Sequence, residues 1–174
     1  RMTLWPAALL ALTAMPALGA ELTIPVNAID ANGVGAAIGT IKVRDGAKGM
    51  VVTPRLSGLT PGPHGFHVHE NPSCQPKEQD GKMVPGLAAG GHYDPHKAGR
   101  HEGPWGHGHL GDLPALAVNG DGTAGDPLVA PQLKVADLKG RAIVIHAGAD
   151  NYADQPKPLG GGGGRVACGV VPAR

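Results

Sequence analysis

The sequence predicts an all-β fold of roughly eight short strands, closed as an eight-stranded Greek-key β-barrel or sandwich whose loops at one end carry the chemistry. Three observations point there. Valine, isoleucine and leucine recur in short runs, several of them alternating with other residues. Those runs are separated by clusters drawn from 29 glycines and 17 prolines. No stretch carries the apolar spacing of a long amphipathic helix. At 174 residues the chain fits one domain and leaves no room for a second catalytic one.

The first twenty residues read as an export leader. Arg1 is their only charge, residues 5–18 are apolar and rich in alanine and leucine, and the small residues Gly19 and Ala20 follow. Pro6 and Pro16 argue against a buried helix, and the stretch is too short for a membrane span. A cleaved signal peptide over residues 1–20 and a domain over residues 21–174 are expected, with the product periplasmic or secreted. Losing Arg1 leaves basic and acidic residues equal in number, which excludes nucleic acid as a partner on composition, since phosphate affinity needs clustered excess Lys and Arg. The two cysteines, Cys74 and Cys168, read as one disulfide in an exported chain.

Along the remaining chain, Leu22, Ile24, Val26 and Ala28 alternate, and Ile38, Ile41 and Val43 follow the Asn32-Gly33 turn. That is an opening hairpin. Strands are expected next over residues 50–56 and 65–70, then 115–118, 128–129, 141–147 and 165–171, with one helical turn over residues 135–138. Residues 71–114 differ. They lack apolar periodicity yet hold five of the nine histidines, and a loop this long inside a small domain is usually functional.

His67 and His69, two apart on a strand, project from one face and can reach a single ion. His92, His101, His109 and Asp112 follow in the long loop, and His146 ends a strand-like run. Six imidazoles and a carboxylate exceed what one tetrahedral zinc uses. Two sites or one shared cluster are the economical reading, so the long loops are metal-bearing. Imidazole suits both copper and zinc, and the aspartate in the second set favours zinc there.

Four segments then occur in a recognisable order: Gly65-Phe66-His67-Val68-His69-Glu70, Gly91-His92-Tyr93-Asp94-Pro95, Gly108-His109-Leu110-Gly111-Asp112-Leu113-Pro114 and Gly163-Gly164-Arg165-Val166-Ala167-Cys168-Gly169. With them the chain resembles the copper,zinc superoxide dismutases over essentially its whole length after the leader. The segments 74–92 and 150–159 resemble the exported bacterial branch. The resemblance implies one copper and one zinc ion per subunit. Copper would be held by His67, His69, His92 and His146, and zinc by His92, His101, His109 and Asp112, with His92 bridging.

The resemblance further makes Asp150 the carboxylate that hydrogen-bonds His67 and His101, Arg165 the cation that docks superoxide, and Cys74–Cys168 the disulfide that anchors the metal-bearing loop. The implied activity is dismutation of superoxide to oxygen and hydrogen peroxide by redox cycling of copper, with zinc structural and with Arg165 and His92 catalytic. Chains resembling this one occur as monomers and as homodimers, and neither nucleic acid nor membrane is an expected partner. The competing reading is a non-catalytic copper/zinc-binding domain of the same fold, for storage or delivery. His64, His96, His107 and Trp105 match no ligand position and read as structural or surface residues.

Overall fold

The computed structural model describes residues 19–174, so the apolar stretch expected to be a leader lies outside the described residues except for Gly19 and Ala20. The described chain is built from antiparallel strands. β1 (Glu21–Asp30) and β2 (Gly33–Gly46) form the opening hairpin, turning at Ala31 and Asn32. β3 (Gly49–Leu56), β4 (Gly62–His64) and β5 (Phe66–His69) follow. β6 (Lys77–Gln79) and β7 (Lys82–Val84) make a small hairpin inside the long loop. β8 (Leu116–Val118) and β9 (Leu128–Ala130) lead to the helical turn α1 (Val135–Leu138), then β10 (Arg141–His146) and β11 (Arg165–Val171).

Seven strands make one sheet in the order β5-β10-β11-β1-β2-β3-β9. Its two ends are joined. β4 runs into β5 and pairs with β8, while Ala124, beyond the turn after β8, exchanges backbone hydrogen bonds with Leu56 of β3. The curled sheet is the Greek-key barrel the sequence predicts. The closed interior takes the inward residues of each strand, among them Ile24, Ile41, Val52, Phe66, Val68 and Ile143, all at most 1 % exposed. Phe66 is the only phenylalanine in the chain and sits at the core end of β5.

Alternation along β5 and β10 sends the next residues the other way. Val144 pairs with His67 and Ala142 with His69, so both histidines stand on the outer face of the barrel wall. A second apolar cluster of Ile29, Cys74, Ala89, Ala142, Val144 and Cys168 lies under the long loop and packs the loop onto that face. The Cys74–Cys168 disulfide is part of it and closes 94 residues of chain. His64 belongs to the scaffold: it is buried, and its ring nitrogens lie 2.7 Å from the carbonyl oxygens of Thr60 and His146.

Closing so long a loop restricts the unfolded chain and stabilises the folded one by about 4 kcal/mol. A Cys74→Ser, Cys168→Ser double variant is expected to lose about that much, read from guanidinium unfolding against the oxidised parent. An unchanged midpoint would show that the outer cluster alone holds the loop.

Candidate metal centre

β5 is the end strand of the sheet, and its open edge would leave N–H and C=O groups without partners. Two segments of the long loop satisfy them. Val68 N–H donates to Gly111 O and Tyr93 N–H to Val68 O, both at 2.8 Å, and Gly111 N–H donates to Tyr93 O at 2.9 Å. His92 is thereby set opposite His69, and Asp112 opposite His67. His146 arrives from the other side, at the end of β10, where a register shift against β11 places it opposite Arg165.

Two groups of ligating atoms result, each with its members within 4.8 Å of one another and all buried: His67, His69, His92 and His146 in the first, and His67, His92, His101 and Asp112 in the second. The first matches the copper set that the resemblance implies. The second differs from the implied zinc set in one member, because His67 takes the place of His109. Around Asp112, however, the whole implied zinc set is gathered. His92 Nδ1 lies 2.7 Å from Oδ1, while His101 Nδ1 and His109 Nδ1 lie 2.7 and 3.2 Å from Oδ2.

In the first group each imidazole has one nitrogen tied off. His67 Nε2 bonds Asp150 Oδ2 at 2.7 Å, His69 Nδ1 bonds Gly90 O at 2.8 Å, and His146 Nδ1 bonds Gly163 O at 3.0 Å. His92 Nδ1 bonds Asp112 Oδ1. These partners are acceptors, so the protons sit on those nitrogens when the rings are neutral, and the opposite nitrogens present lone pairs. Those lone pairs converge: His67 Nδ1 and His92 Nε2 are buried without a hydrogen-bond partner, and His69 Nε2 faces His146 Nε2 at 3.3 Å. Lone pairs crowded in this way repel one another unless a cation lies among them. The donor set therefore fits a His-ligated metal ion.

Burial keeps the rings of this group in the ligating form. It lowers His67 to about 3 against the raising hydrogen bond of Asp150, and His146 to about 4 against that of the Gly163 carbonyl. His69 falls well below its ordinary value and His92 falls too, burial again being the main cause. The remaining two rings around Asp112, His101 and His109, behave oppositely. Burial opposes charge on His101, yet hydrogen bonds to Asp112 and Asp150 raise it to about 9. The Asp112 hydrogen bond raises His109 despite burial. Burial also opposes charge on Asp112 and Asp150, but the imidazoles they accept from hold both carboxyls below the usual range.

Asp150 links the two groups, its Oδ1 lying 2.7 Å from His101 Nε2. Arg165 is half-buried beside the first group. Its Nη1 and Nη2 donate to Gly86 O and Gly90 O at 2.8 and 2.7 Å, and its charge bears on His69 and His146. Gly90 O thus accepts from both the His69 ring and the guanidinium. A cavity of about 430 Å³ opens beside Arg165, with Lys77, Leu87 and Gly90 in its wall. Three contributors were not singled out from the sequence: the Gly90 and Gly163 carbonyls, which have no side-chain signature, and Asp154, which accepts His101 N–H at 2.9 Å. Asp154 lies four residues after Asp150, and that proximity was its only sequence signal. His96, His107 and Trp105 are exposed and belong to neither group.

Comparison with known proteins gives this arrangement a context. The family model for copper/zinc superoxide dismutase matches residues 37–171. The chain is 56 % identical over 155 residues to a superoxide dismutase [Cu-Zn] of Pasteurella multocida, covering 88 % of this chain and 83 % of that one. Among solved structures, the Cu/Zn superoxide dismutase from Brucella abortus aligns with a TM-score of 0.86 at 50 % identity, over 87 % of this chain and 99 % of that one. The monomeric enzyme from Salmonella enterica aligns with a TM-score of 0.79 at 54 % identity, over 87 % and 99 %.

Because Asp150 fixes one ring in each group, an Asp150→Ala variant is expected to bind copper and zinc roughly 10- to 100-fold more weakly. Metal analysis after dialysis against a chelator reads this directly. The metal-stripped variant should still unfold cooperatively, and full metal retention would refute the positioning role.

Proposed function

The chain belongs to the copper/zinc superoxide dismutase family, and on that premise we propose which of its residues carry out the conversion of two superoxide anions and two protons into oxygen and hydrogen peroxide. The reading rests above all on His92, which is a member of both buried groups: Nδ1 lies against Asp112, and Nε2 is left free towards the His67, His69 and His146 rings. Copper held by His67, His69, His92 and His146 supplies the one-electron couple, and redox-inert zinc held by His92, His101, His109 and Asp112 supplies a fixed charge.

The protein's own groups do the rest. Arg165 attracts and orients the anion. Two of its N–H groups are fixed on the Gly86 and Gly90 carbonyls, so the guanidinium is held in place with further donors left for an anion. Lys77 and Glu78 line the cavity beside Arg165 with opposite charges, so the guanidinium leaves it net positive and draws small anions even where the whole chain is nearly neutral. His92 Nε2 is the proton site: it can take a proton and give it to the departing peroxide while Nδ1 stays on the Asp112 side, where zinc would be held, so the ring does not turn. Asp150 keeps His67 and His101 in one tautomer and orientation throughout.

We further propose that the protein works outside the cytoplasm. The Cys74–Cys168 disulfide suits an oxidising compartment, and Glu21 opens β1, so cleavage after Ala20 would leave every described strand intact. The non-catalytic alternative is not favoured, because the chain keeps every implied ligand together with Arg165.

Superoxide consumption measured with the metal content of the same sample tests the reading: activity should vanish on copper removal and return on copper addition. An Arg165→Glu variant should keep both metals yet turn over about tenfold more slowly or worse at low salt. Full rate in that variant would end the docking role.

A further inference from the structure

Arg141 opens β10 and belongs to neither buried group, yet it reaches the residue that follows His92. Its guanidinium carbon lies over the Tyr93 ring, 3.8 Å from the centroid. Nη1 donates to Lys139 O at 2.9 Å, while Nε is buried without a hydrogen-bond partner. A guanidinium taken partly out of water in this way needs another source of stabilisation, and the electron-rich face of Tyr93 supplies it.

The two residues come from opposite sides of β5. β10 pairs with one edge of that strand, and the loop segment carrying His92 and Tyr93 lies along the other. Ala142 stands opposite His69 on the outer face of the wall, so alternation turns Arg141 and Ile143 towards the core side. Tyr93 likewise packs against the core cluster, whereas His92 stands opposite His69. The stack therefore spans β5 on its inner side. Along the edge itself the segment is held by backbone bonds: Glu70 N–H to Gly91 O at 3.0 Å, Tyr93 N–H to Val68 O at 2.8 Å and Gly111 N–H to Tyr93 O at 2.9 Å. Peptide groups offer the same donors and acceptors at every residue, so these bonds alone do not distinguish one register from the next. A ring beneath a fixed cation does. A slip of one residue would carry Tyr93 to the outer face and pull it from Arg141.

We propose that Arg141 is a positioning residue for His92, acting through Tyr93 to fix the register in which the His92 ring meets both buried groups. The proposal rests on the reading of His92 as the ligand shared by copper and zinc. Because one ring serves both ions, loosening it weakens both together, whereas a defect on one side of the centre weakens one. The shape of the cation matters as well as its charge, since a lysine at this position would keep the charge and lose the planar group that stacks.

Copper and zinc affinities are measured by chelator competition in the parent and in Arg141→Met, Arg141→Lys and Tyr93→Phe variants. Arg141→Met is expected to bind both ions about three- to tenfold more weakly, Arg141→Lys to fall between it and the parent, and Tyr93→Phe to match the parent. Adding Arg141→Met to Tyr93→Leu should cost nothing further, because the ring through which Arg141 acts is then gone. A second readout follows the shared ligand itself. With cobalt(II) in place of zinc, a common His92 ring couples the two spins and suppresses the copper paramagnetic resonance, and an uncoupled copper signal should appear in Arg141→Met. Parental affinities with full coupling in Arg141→Met, weakening of one ion alone, or a full further loss in the double variant overturns the proposal. Should Arg141→Met not fold, Arg141→Lys decides in its place, with parental values there overturning the role. Absence of coupling in the parent would instead overturn the shared-ligand reading, and this proposal with it.

Discussion

The open edge of β5 is the constraint on which the site depends. An end strand with bare N–H and C=O groups must be covered or it invites pairing with another chain. Here the cover is the long loop itself, laid against the edge in two places, and each place carries a member of the buried groups, His92 or Asp112, at the paired position. Backbone hydrogen bonding therefore sets the side-chain register. A slip of one residue would turn His92 to the opposite face and dissolve both groups, or turn Asp112 away and dissolve the second. Because β10 flanks the other side of β5, His146 inherits the same frame, and the centre is assembled on a wall whose inner face is close-packed core.

Charge explains why the loop needs its partners. Asp112 and Asp150 are buried without exposed side-chain area, a costly arrangement for carboxylates unless cations or several donors compensate. His101 lies between the two, contacting both at 2.7 Å. A cation at this position is required by the two acids rather than merely tolerated. The imidazoles on the other side of His92 are held neutral by burial, so the centre divides into a half that favours positive charge and a half that offers lone pairs. His67 and His92 each turn one nitrogen to a buried acid and the other to the lone pairs, His67 against Asp150 and His92 against Asp112.

Much of this was legible in the sequence. The strands carrying ligands announced themselves through alternating or continuous apolar residues, and even the single turn of α1 was visible. The β6–β7 hairpin was not, because Lys77, Glu78, Gln79, Lys82 and Met83 are exposed and provide no buried face to create a pattern. The Asp80-Gly81 turn between them was the one available signal. The histidines themselves were recognisable, while the groups that hold their second nitrogens divided by chemistry. Asp150 could be named, whereas the Gly90 and Gly163 carbonyls are backbone atoms that any residue would supply. Spacing also could not tell that His67 would lie within reach of both groups while His109 stood slightly apart.

The five glycines at 160–164 look in sequence like a linker, and their surroundings give them a different task. A side chain at Gly160 would collide with Asp150 Oδ1 and come within 2.9 Å of His101 Nε2, and its φ of 75° already favours glycine. At Gly162 a Cβ would stand 3.1 Å from that of His146, whose Nδ1 is held by the next residue's carbonyl. The run is bare because the chain presses directly on the buried rings there, keeping water from Asp150 where a bulkier segment would be forced outward. Three residues beyond Arg165, Cys168 then ties this strand to Cys74 on the long loop. That same loop carries Gly86 and Gly90, whose carbonyls aim the guanidinium. Glycine closes the acid-lined side of the centre, and the disulfide keeps the anion-facing side in register. Both are needed because a site that excludes water around its carboxylates must still leave one open path for a small anion.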